Sequence, residues 1–343
     1  MRTRDCWLKF DYKEFNQRNF TKIISKFGKP INLRIIYIST YIPTYTRTEV
    51  LLGLMQKSGI KVIKVLVGNS KLKYLRAICS LLTHRKDYDL IILAFRGHEL
   101  LPFLSLVTNR PIIFDAMVSV YDTLCFDRKI FSPMSLVGKF LKWYDKFLCE
   151  ISDIVLVDTE AHKNYFEKEF EAHNIDYIYV GCNEDLFKPI TQERDKSKFV
   201  VFWYGSANPL QGVDIILRSA KLLEDSGIFF RLVGPVRKKY SALITDLQPK
   251  NVEFIDFIPY EELPAEINKS DVCLGGHFAD REKAKRVIAS KTFQFLACEK
   301  PTIVGDNPAN RELFKDQGLT KFVKMNSPED LAEKILQVKE NEK

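Results

Sequence analysis

Short apolar runs of strand length recur along the chain, and each is followed by a segment long enough for a helix. In the first half these runs are uninterrupted, as in strands that are buried on both faces of a parallel sheet. They are LRIIYIS (33–39), IKVIKVLV (60–67), DLIILAF (89–95), PIIFD (111–115) and DIVLVD (153–158). Strands that alternate with helices indicate a doubly wound α/β domain, in which ligands bind beyond the carboxyl ends of the strands.

The series of runs stops and then begins again. A polar stretch, 183–198, contains a proline and has no apolar period, so it is the predicted linker. The second series is FVVFWYG (199–205), FFRLVGP (229–235), VEFIDFI (252–258), DVCLGG (271–276) and PTIVGD (301–306). Two α/β domains agree with a length of 343 residues, which is long for one core. The predicted division is a basic leader (1–30), a first domain (31–185), a second domain (198–326) and a C-terminal helix (327–343).

The composition is that of a globular protein, with 46% hydrophobic and 28% charged residues. No apolar stretch approaches the ~20 residues that span a bilayer, and the N-terminal residues lack the apolar segment of a secretory signal. Seven cysteines are scattered without a CxxC pair, which argues against a disulfide framework or a structural zinc site and for a reducing compartment. We therefore expect a cytoplasmic protein, with the inner face of the membrane as an alternative location.

Much of the formal charge of +8 lies in residues 1–30, where eight basic residues stand against three acidic ones. Aromatic residues are interleaved with these cations, as in segments that make peripheral contact with an anionic membrane. The alternative, which we favour, is an ordinary helix packed on the first domain. Nucleic-acid binding is not expected, because no recognisable motif accompanies the charge. The segment 138–150 also mixes lysines with aromatic residues, and there we favour a core helix with snorkelling lysines over a membrane contact.

Two common nucleotide-binding motifs are missing from the chain. Neither GxGxxG nor GxxxxGK[ST] follows the first strand of either series, which argues against a dinucleotide-dependent dehydrogenase and an ATPase. A dense run of cations instead surrounds the start of a helix that is predicted to open near Ser290. These cations are Lys283, Lys285, Arg286 and Lys291. A helix N-terminus with basic side chains is suited to a diphosphate, and Gly275 and Gly276 upstream allow close backbone approach.

Four blocks of the second domain are distinctive when taken together. They are VFWYGSANPLQGVDIILRSAKLL, FRLVGP, VEFIDFIPYEELPAEINKSDVCLG and KRVIASKTFQFLACEKPTIVGDNPANRELF. These blocks resemble the C-terminal domain of the GT-B glycosyltransferases, and more narrowly that of the retaining enzymes of family 4. In the first domain, PIIFDAMVSVYDTLCFDR and ISDIVLVDTEAHKNYF resemble the acceptor domain of a bacterial and archaeal branch of that family. The resemblance covers roughly residues 33–340.

The resemblance implies a GT-B fold, in which two Rossmann-like doubly wound domains face each other across a cleft. It implies an enzyme that moves a hexose from a UDP- or GDP-sugar to a glycan or lipid-linked acceptor, with retention. The nucleotide-sugar is then a co-substrate, and no metal or other cofactor is expected. The donor diphosphate would lie against Gly205 and Ser206, with Arg286 and Lys291 as its cations.

The acceptor site is expected beyond the strands of the first domain. Asp115, at the end of PIIFD, is the candidate for acceptor contact or proton handling, and His98 is the candidate for binding a sugar hydroxyl. An end-of-strand turn and a capping or core histidine are the respective alternatives. The remaining acceptor or cleft candidates are Arg96, Tyr121, Asp122, Asp127 and Arg128.

The chain departs from the family pattern in its predicted donor site. Arg286 and Gln294 stand where many members carry the two glutamates of an E-x7-E motif, which face the donor sugar and the ribose hydroxyls. Gln294 can still accept a hydroxyl hydrogen bond, without charge assistance. Gln211 occupies a position where a lysine is common. A non-catalytic sugar-nucleotide-binding subunit, a GT-B nucleotide-sugar epimerase and a sugar phosphorylase are therefore the alternatives to a transferase.

Overall fold

The computed structural model describes residues 7–41, 45–68, 72–191 and 197–341. The chain forms two compact units, one of which is Asp11–Gly181 and the other Met1–Phe10 together with Cys182–Lys343. The polypeptide therefore passes between the units twice. This division differs from the predicted one, because part of the leader belongs to each unit and the second unit begins at Cys182. Residues 192–196 of the predicted linker lie outside the described residues.

The N-terminal unit contains a six-stranded parallel sheet in the order β2-β1-β3-β4-β5-β6. Its strands are β1 (Arg34–Ser39), β2 (Lys61–Leu66), β3 (Leu90–Leu93), β4 (Ile112–Asp115), β5 (Ile154–Val157) and β6 (Ile175–Tyr177). Its helices are α1 (Tyr12–Ser25), α2 (Thr46–Lys57), α3 (Lys73–Thr83), α4 (Leu101–Val107), α5 (Leu136–Glu150) and α6 (Glu160–Phe170). Strands β3, β4 and β5 are buried along their whole length. This confirms the prediction that uninterrupted apolar runs form strands buried on both faces of the sheet.

The C-terminal unit contains a second six-stranded parallel sheet, in the order β12-β11-β10-β7-β8-β9. Its strands are β7 (Phe199–Tyr204), β8 (Ile228–Val233), β9 (Val252–Ile255), β10 (Val272–Leu274), β11 (Thr302–Gly305) and β12 (Thr320–Val323). Its helices are α7 (Val213–Leu222), α8 (Val236–Lys239), α9 (Ser241–Leu247), α10 (Leu263–Lys269), α11 (Ser290–Ala297), α12 (Pro308–Leu313) and α13 (Pro328–Asn341). Each unit is thus a doubly wound α/β domain, as predicted.

The C-terminal helix α13 is part of the core of this unit. Its buried side chains recur at helical spacing and pack in the same cluster as those of α7. They are Leu331, Ala332, Ile335 and Val338. The hydroxyl of Ser219 on α7 donates a hydrogen bond of 2.8 Å to the carbonyl oxygen of Pro328, and the Ser327 hydroxyl accepts one from the backbone N–H of Asp330. The described part of the predicted C-terminal helix, residues 327–341, is therefore not a separate structural unit.

The described part of the predicted leader packs into the protein. Trp7 is 8% exposed, and its ring centre lies 6.2 Å from that of Phe314. Asp11 caps α1, and Phe20 in that helix is fully buried. This placement fits the packed-helix alternative and removes these two aromatic side chains from any membrane contact through residues 1–30. Among the described residues, no helix is long and apolar enough to cross a bilayer.

Candidate functional site

Glycines shape the carboxyl edge of the second sheet, where the loops after β7 and β8 meet. At Gly234, φ is +126°, and a Cβ atom would collide with the carbonyl oxygen of Gly205. The backbone N–H of Gly205 in turn donates to the carbonyl oxygen of Val233 at 3.0 Å. At Gly212, φ is +68°, and a Cβ atom would lie 2.7 Å from the backbone nitrogen of Ala279. Glycine alone fits these positions, so the loops approach one another with no side chain between them.

Lys291 is a buried cation at this edge. It lies in the first turn of α11 and is 5% exposed, and its Nζ has no hydrogen-bond partner among the described residues. The Nζ atom lies 4.2 Å from the centre of the Trp203 ring and 3.0 Å from the place that a Cβ atom on Gly205 would take. Burial holds the pKa of Lys291 well below its ordinary value. An amine in these surroundings lacks the anion that would compensate for its lost hydration.

Two further basic residues are buried in the segment that precedes α11. His277 is 6% exposed and Lys283 is 8% exposed. Burial, followed by the charges of Lys291 and Lys283, lowers the pKa of His277 to about 3, so the imidazole is neutral at pH 7. Its Nδ1 atom has no hydrogen-bond partner within the described ranges. The carbonyl oxygen of His277 lies 2.1 Å from the place that a Cβ atom on Gly305 would take, so this segment packs directly on the end of β11.

Gln294 lies one helical turn after Lys291 and is 1% exposed. Its amide oxygen accepts a hydrogen bond from the hydroxyl of Tyr204, and its amide nitrogen donates to the hydroxyl oxygen of Tyr260 at 3.3 Å. Burial raises the pKa of the Tyr204 hydroxyl, which keeps that group a donor at neutral pH. In the structure the Gln294 side chain therefore binds two tyrosines, and a ribose contact through it stays a prediction.

The other predicted donor residues, Gly205, Ser206 and Arg286, differ in their exposure and in their contacts. Gly205 lies directly beside Lys291, as the resemblance implies. Ser206 is exposed, and its carbonyl oxygen accepts a hydrogen bond of 2.7 Å from Nζ of Lys239. Arg286 is half-buried between β10 and α11, and its backbone N–H donates to the carbonyl oxygen of Lys283. Of these residues, the structure shows Gly205 and Lys291 brought together.

Asp115 forms a buried ion pair in the N-terminal unit. Both Asp115 and its partner Arg47 are 0% exposed, and Nη2 of Arg47 lies 2.8 Å from Oδ1 of the carboxylate. The same guanidinium donates to the carbonyl oxygens of Val157 and Ile178. One side chain thus ties together β4, β5 and the segment after β6. The geometry assigns Asp115 a structural role and gives no support to its predicted contact with an acceptor. The sequence did not single out Arg47, because a lone arginine in a helix carries no motif.

His98 and Arg96 both follow β3 but differ in their surroundings. The ring of His98 is 7% exposed and packs edge-on against Phe114, and its Nε2 donates to the carbonyl oxygen of Val118 at 2.9 Å. These contacts agree with the core-histidine alternative. Arg96 is exposed and has a φ of +65°, and its guanidinium lies 4.8 Å from the centre of the Tyr41 ring.

The last four acceptor candidates lie at a short π-helical turn, Asp122–Asp127. Tyr121, Asp122 and Asp127 are buried, whereas Arg128 is exposed. Among all the acceptor candidates, Arg96 and Arg128 alone are exposed. The accessible polar surface at this edge of the sheet is therefore smaller than the sequence analysis predicted. Within the described part of the chain, no group of three or more His, Cys, Asp or Glu side chains is arranged to hold a metal ion.

Comparison with known proteins identifies the family of the second half of the chain. Residues 184–343 match the model of the family described as glycosyl transferases group 1. The C-terminal half belongs to this family. Over 203 residues, the chain is 24% identical to the uncharacterized glycosyltransferase MJ1178 of Methanocaldococcus jannaschii, and the alignment covers 59% of the chain and 54% of the relative. The chain thus matches about half the length of that curated relative.

Solved structures that are similar to this chain cover nearly its whole length. Sucrose-phosphate synthase of Thermosynechococcus elongatus has a TM-score of 0.68 at 14% identity, over 90% of both chains. Anabaena HepE, solved in complex with UDP and glucose, has a TM-score of 0.64 at 14% identity, over 91% of both chains. At such low identity the likeness shows the fold, which is GT-B. The predicted fold is thereby confirmed. The match of residues 184–343 to the group 1 model confirms the predicted family for the second half of the chain.

Proposed function

We propose that the protein is a glycosyltransferase that moves a hexose from a nucleoside diphosphate sugar to an acceptor. The observation that carries the proposal is Lys291, a buried amine without a hydrogen-bond partner among the described residues, at the carboxyl edge of the group 1 domain. Parallel α/β sheets bind ligands at this edge. The diphosphate of the donor is the anion that the Lys291 amine lacks.

The surroundings of Lys291 suit a group on which negative charge develops. When the bond between the anomeric carbon and the diphosphate oxygen breaks, the electron pair stays on the departing diphosphate. Lys291 is shielded from water, and a charge placed there acts more strongly than it would in solvent. Ala289, the N-cap of α11, has no side-chain oxygen to bind the first-turn N–H groups of the helix. The backbone N–H of Thr292 donates to the carbonyl oxygen of Ala289 at 2.9 Å, so the N–H groups of Ser290 and Lys291 are the ones that can face the same anion as the amine.

We propose UDP or GDP as the nucleotide and retention as the stereochemical outcome. HepE, which shares the fold, was solved with UDP, and the resemblance to family 4 favours retention. In this proposal, basic side chains rather than a metal ion neutralise the diphosphate, with Arg286 assisting Lys291. The departing diphosphate oxygen accepts the proton of the acceptor hydroxyl as the new glycosidic bond forms. The acceptor is proposed to be a glycan or a lipid-linked sugar, and the location the cytoplasm.

Donor turnover tests this function without knowledge of the acceptor, because water can replace it slowly. The purified protein is incubated with UDP- and GDP-linked hexoses in the presence of EDTA, and the released nucleoside diphosphate is measured. We expect release from donors of one nucleotide, with the anomeric configuration of the released sugar retained in its NMR spectrum. Lys291→Met is expected to lower the rate about a hundredfold, because a charge-stabilising donor is lost. Lys238→Met, at an exposed position of α8, serves as the control and should equal the wild type.

The proposal is wrong if folded protein releases no nucleotide from any of these donors, with EDTA or with magnesium. Equal rates for Lys291→Met and the wild type would show that the reaction occurs without the amine on which the proposal rests.

A further inference from the structure

Helix α5 presents an apolar stripe to solvent on the N-terminal unit. Leu136 is 86% exposed, and Phe140 and Trp143 are each 56% exposed. Their spacing places them on one face of the helix. The ring centres of Phe140 and Trp143 lie 5.7 Å apart, and Trp143 stacks on the half-buried Phe147 at 5.5 Å. We call Leu136, Phe140 and Trp143 the α5 stripe.

The orientation of α5 is fixed by contacts on its other faces. Leu141 and Leu148 lie in the hydrophobic core, and the buried Asp145 accepts hydrogen bonds from the Ser119 hydroxyl and the backbone N–H of Tyr121. Two lysines of α5 form ion pairs of 2.6 Å with acidic residues in and just after α6. These pairs are Lys142–Glu169 and Lys146–Glu171. The stripe is therefore exposed because the opposite face and one flank of the helix are already occupied. The helix packs on the core, as predicted for 138–150, and it also carries an exposed apolar face that the prediction did not include.

The loop before α5 extends the apolar surface. Met134 is 76% exposed and Ile130 is 56% exposed. This loop is held on the first turn of the helix, because a Cβ atom on Gly138 would collide with the carbonyl oxygen of Ser132. The hydroxyl of Ser135 donates to that same carbonyl and accepts from the backbone N–H of Gly138 at 3.0 Å. The loop is thus attached to the helix that carries the stripe.

Apart from the two ion pairs with Glu169 and Glu171, the charges near the Leu136 end of the stripe are basic. Lys139 lies on α5 between Leu136 and Phe140 in sequence, is exposed, and forms no ion pair with the described residues. Arg128 and Lys129 are exposed in the preceding loop. The acidic residue of α5 that is exposed, Glu150, lies at the far end of the helix. An apolar stripe flanked by cations is the pattern of helices that lie in the plane of a membrane interface, and tryptophan favours that interface.

We propose that the α5 stripe docks the protein on a bilayer that carries anionic headgroups. The charge argues for lipid over a second copy of this chain, since a symmetric dimer would bring the same lysines together. The whole chain carries a formal charge of +8, which an anionic surface also attracts. The apolar side chains would enter the boundary between headgroups and acyl chains, while Lys139 contacts the headgroups. This proposal does not depend on the proposed transferase activity.

Trp143 provides a direct readout of docking. The chain has three tryptophans, of which Trp7 is 8% exposed and Trp203 is 0% exposed, so Trp143 is the one open to solvent. The full chain is mixed with vesicles of phosphatidylcholine alone or with phosphatidylglycerol added. We expect binding and a blue shift of the tryptophan emission with the anionic vesicles. Trp143→Phe should bind without giving the shift.

Matched variants test whether the stripe itself is responsible. Phe140→Gln with Trp143→Gln is expected to weaken partition into anionic vesicles by at least about tenfold, because two apolar side chains no longer leave water. Phe257→Gln, which changes a 77% exposed phenylalanine of the C-terminal unit, should bind as the wild type does. Lys139→Gln should weaken binding about fivefold, because one basic residue near the membrane surface is lost. Lys26→Gln, in the predicted leader, should leave binding unchanged.

Two results would overturn the proposal. Equal vesicle binding by the double glutamine variant and the wild type, with both shown to be folded by their thermal melts, would exclude the α5 stripe as the docking surface. A concentration-dependent dimer in sedimentation velocity that the double variant loses, without vesicle binding by the wild type, would identify the stripe as a self-association surface.

Discussion

Lys291 and Asp115 are both buried charged side chains, and their neighbours give them different roles. Asp115 has the guanidinium of Arg47 at 2.8 Å, so its charge is compensated inside the N-terminal unit. Lys291 has the face of Trp203, which attracts a cation weakly and does not replace an anion. A buried charge without a counter-charge destabilises a fold, and such residues persist where a ligand supplies the missing partner.

Asp115→Ala tests the structural role of the ion pair. We expect the variant to lower the free energy of unfolding of the N-terminal unit by about 3–5 kcal/mol, because Arg47 is left buried without a counter-charge. Urea denaturation of the full chain measures this loss. The double replacement Arg47→Met with Asp115→Leu should recover most of it, since neither charge then remains. If Asp115→Ala instead unfolds at the wild-type urea concentration but loses turnover, the carboxylate handles a proton, as the sequence predicted.

At the scale of elements, the glycines determine how the loops of the C-terminal sheet meet. The turn after β8 passes directly over the carbonyl of Gly205, at the end of β7, and Gly205 borders the amine of Lys291. A Cβ atom on Gly234 would collide with that carbonyl oxygen, and a Cβ atom on Gly205 would enter the space beside the amine. Glycine at 234 is therefore a condition for the close approach of these loops, and glycine at 205 is a condition for room beside the amine.

Gly234→Ala tests this close approach. Because φ is +126° and the new Cβ atom would collide with the Gly205 carbonyl oxygen, we expect a loss of more than about 1 kcal/mol of stability, with a lower melting temperature. Gly53→Ala is the matched control. That glycine lies within α2, and a Cβ atom there would meet no other atom within 4 Å. The control should be neutral or more stable by up to about 1 kcal/mol. An unchanged melting temperature for Gly234→Ala would show that the loops can separate freely.

The sequence predicted the buried strands because their apolar runs are continuous. It missed β6 and β12, since IDY and TKFV are short and carry few apolar residues. The exposed face of α5 could not be predicted, because apolar residues occur on both sides of that helix and only tertiary contacts choose between them. The diphosphate site was predicted in part: Lys291 lies at a helix start, but nothing in the sequence places Trp203 beside its amine. The pairing of Arg47 with Asp115 joins residues that are distant along the chain.

At the scale of the whole molecule, the residues of the candidate donor site belong to one unit. Trp203, Gly205, His277 and Lys291 all lie in Cys182–Lys343, which has its own sheet and core. The buried ion pair and the α5 stripe belong to Asp11–Gly181. We therefore assign nucleotide binding to the C-terminal unit and predict that binding needs no residue of the N-terminal unit.

Isothermal titration of UDP and GDP measures whether Lys291 binds the diphosphate of the donor nucleotide. The wild type and Lys291→Met are compared at neutral pH in EDTA. The variant should fold at least as stably as the wild type. The pKa of Lys291 is lower in the folded state than in the unfolded state, so the unfolded state binds more protons. The buried amine therefore lowers the free energy of unfolding at neutral pH, and this loss of stability disappears above about pH 10.4.

We predict that the wild type binds one of the two nucleotides. Lys291→Met should bind that nucleotide at least about tenfold more weakly, because a charge-assisted hydrogen bond is lost. Equal affinity of the two proteins, or no binding of either nucleotide by folded wild type, would show that Lys291 does not bind the diphosphate of the donor.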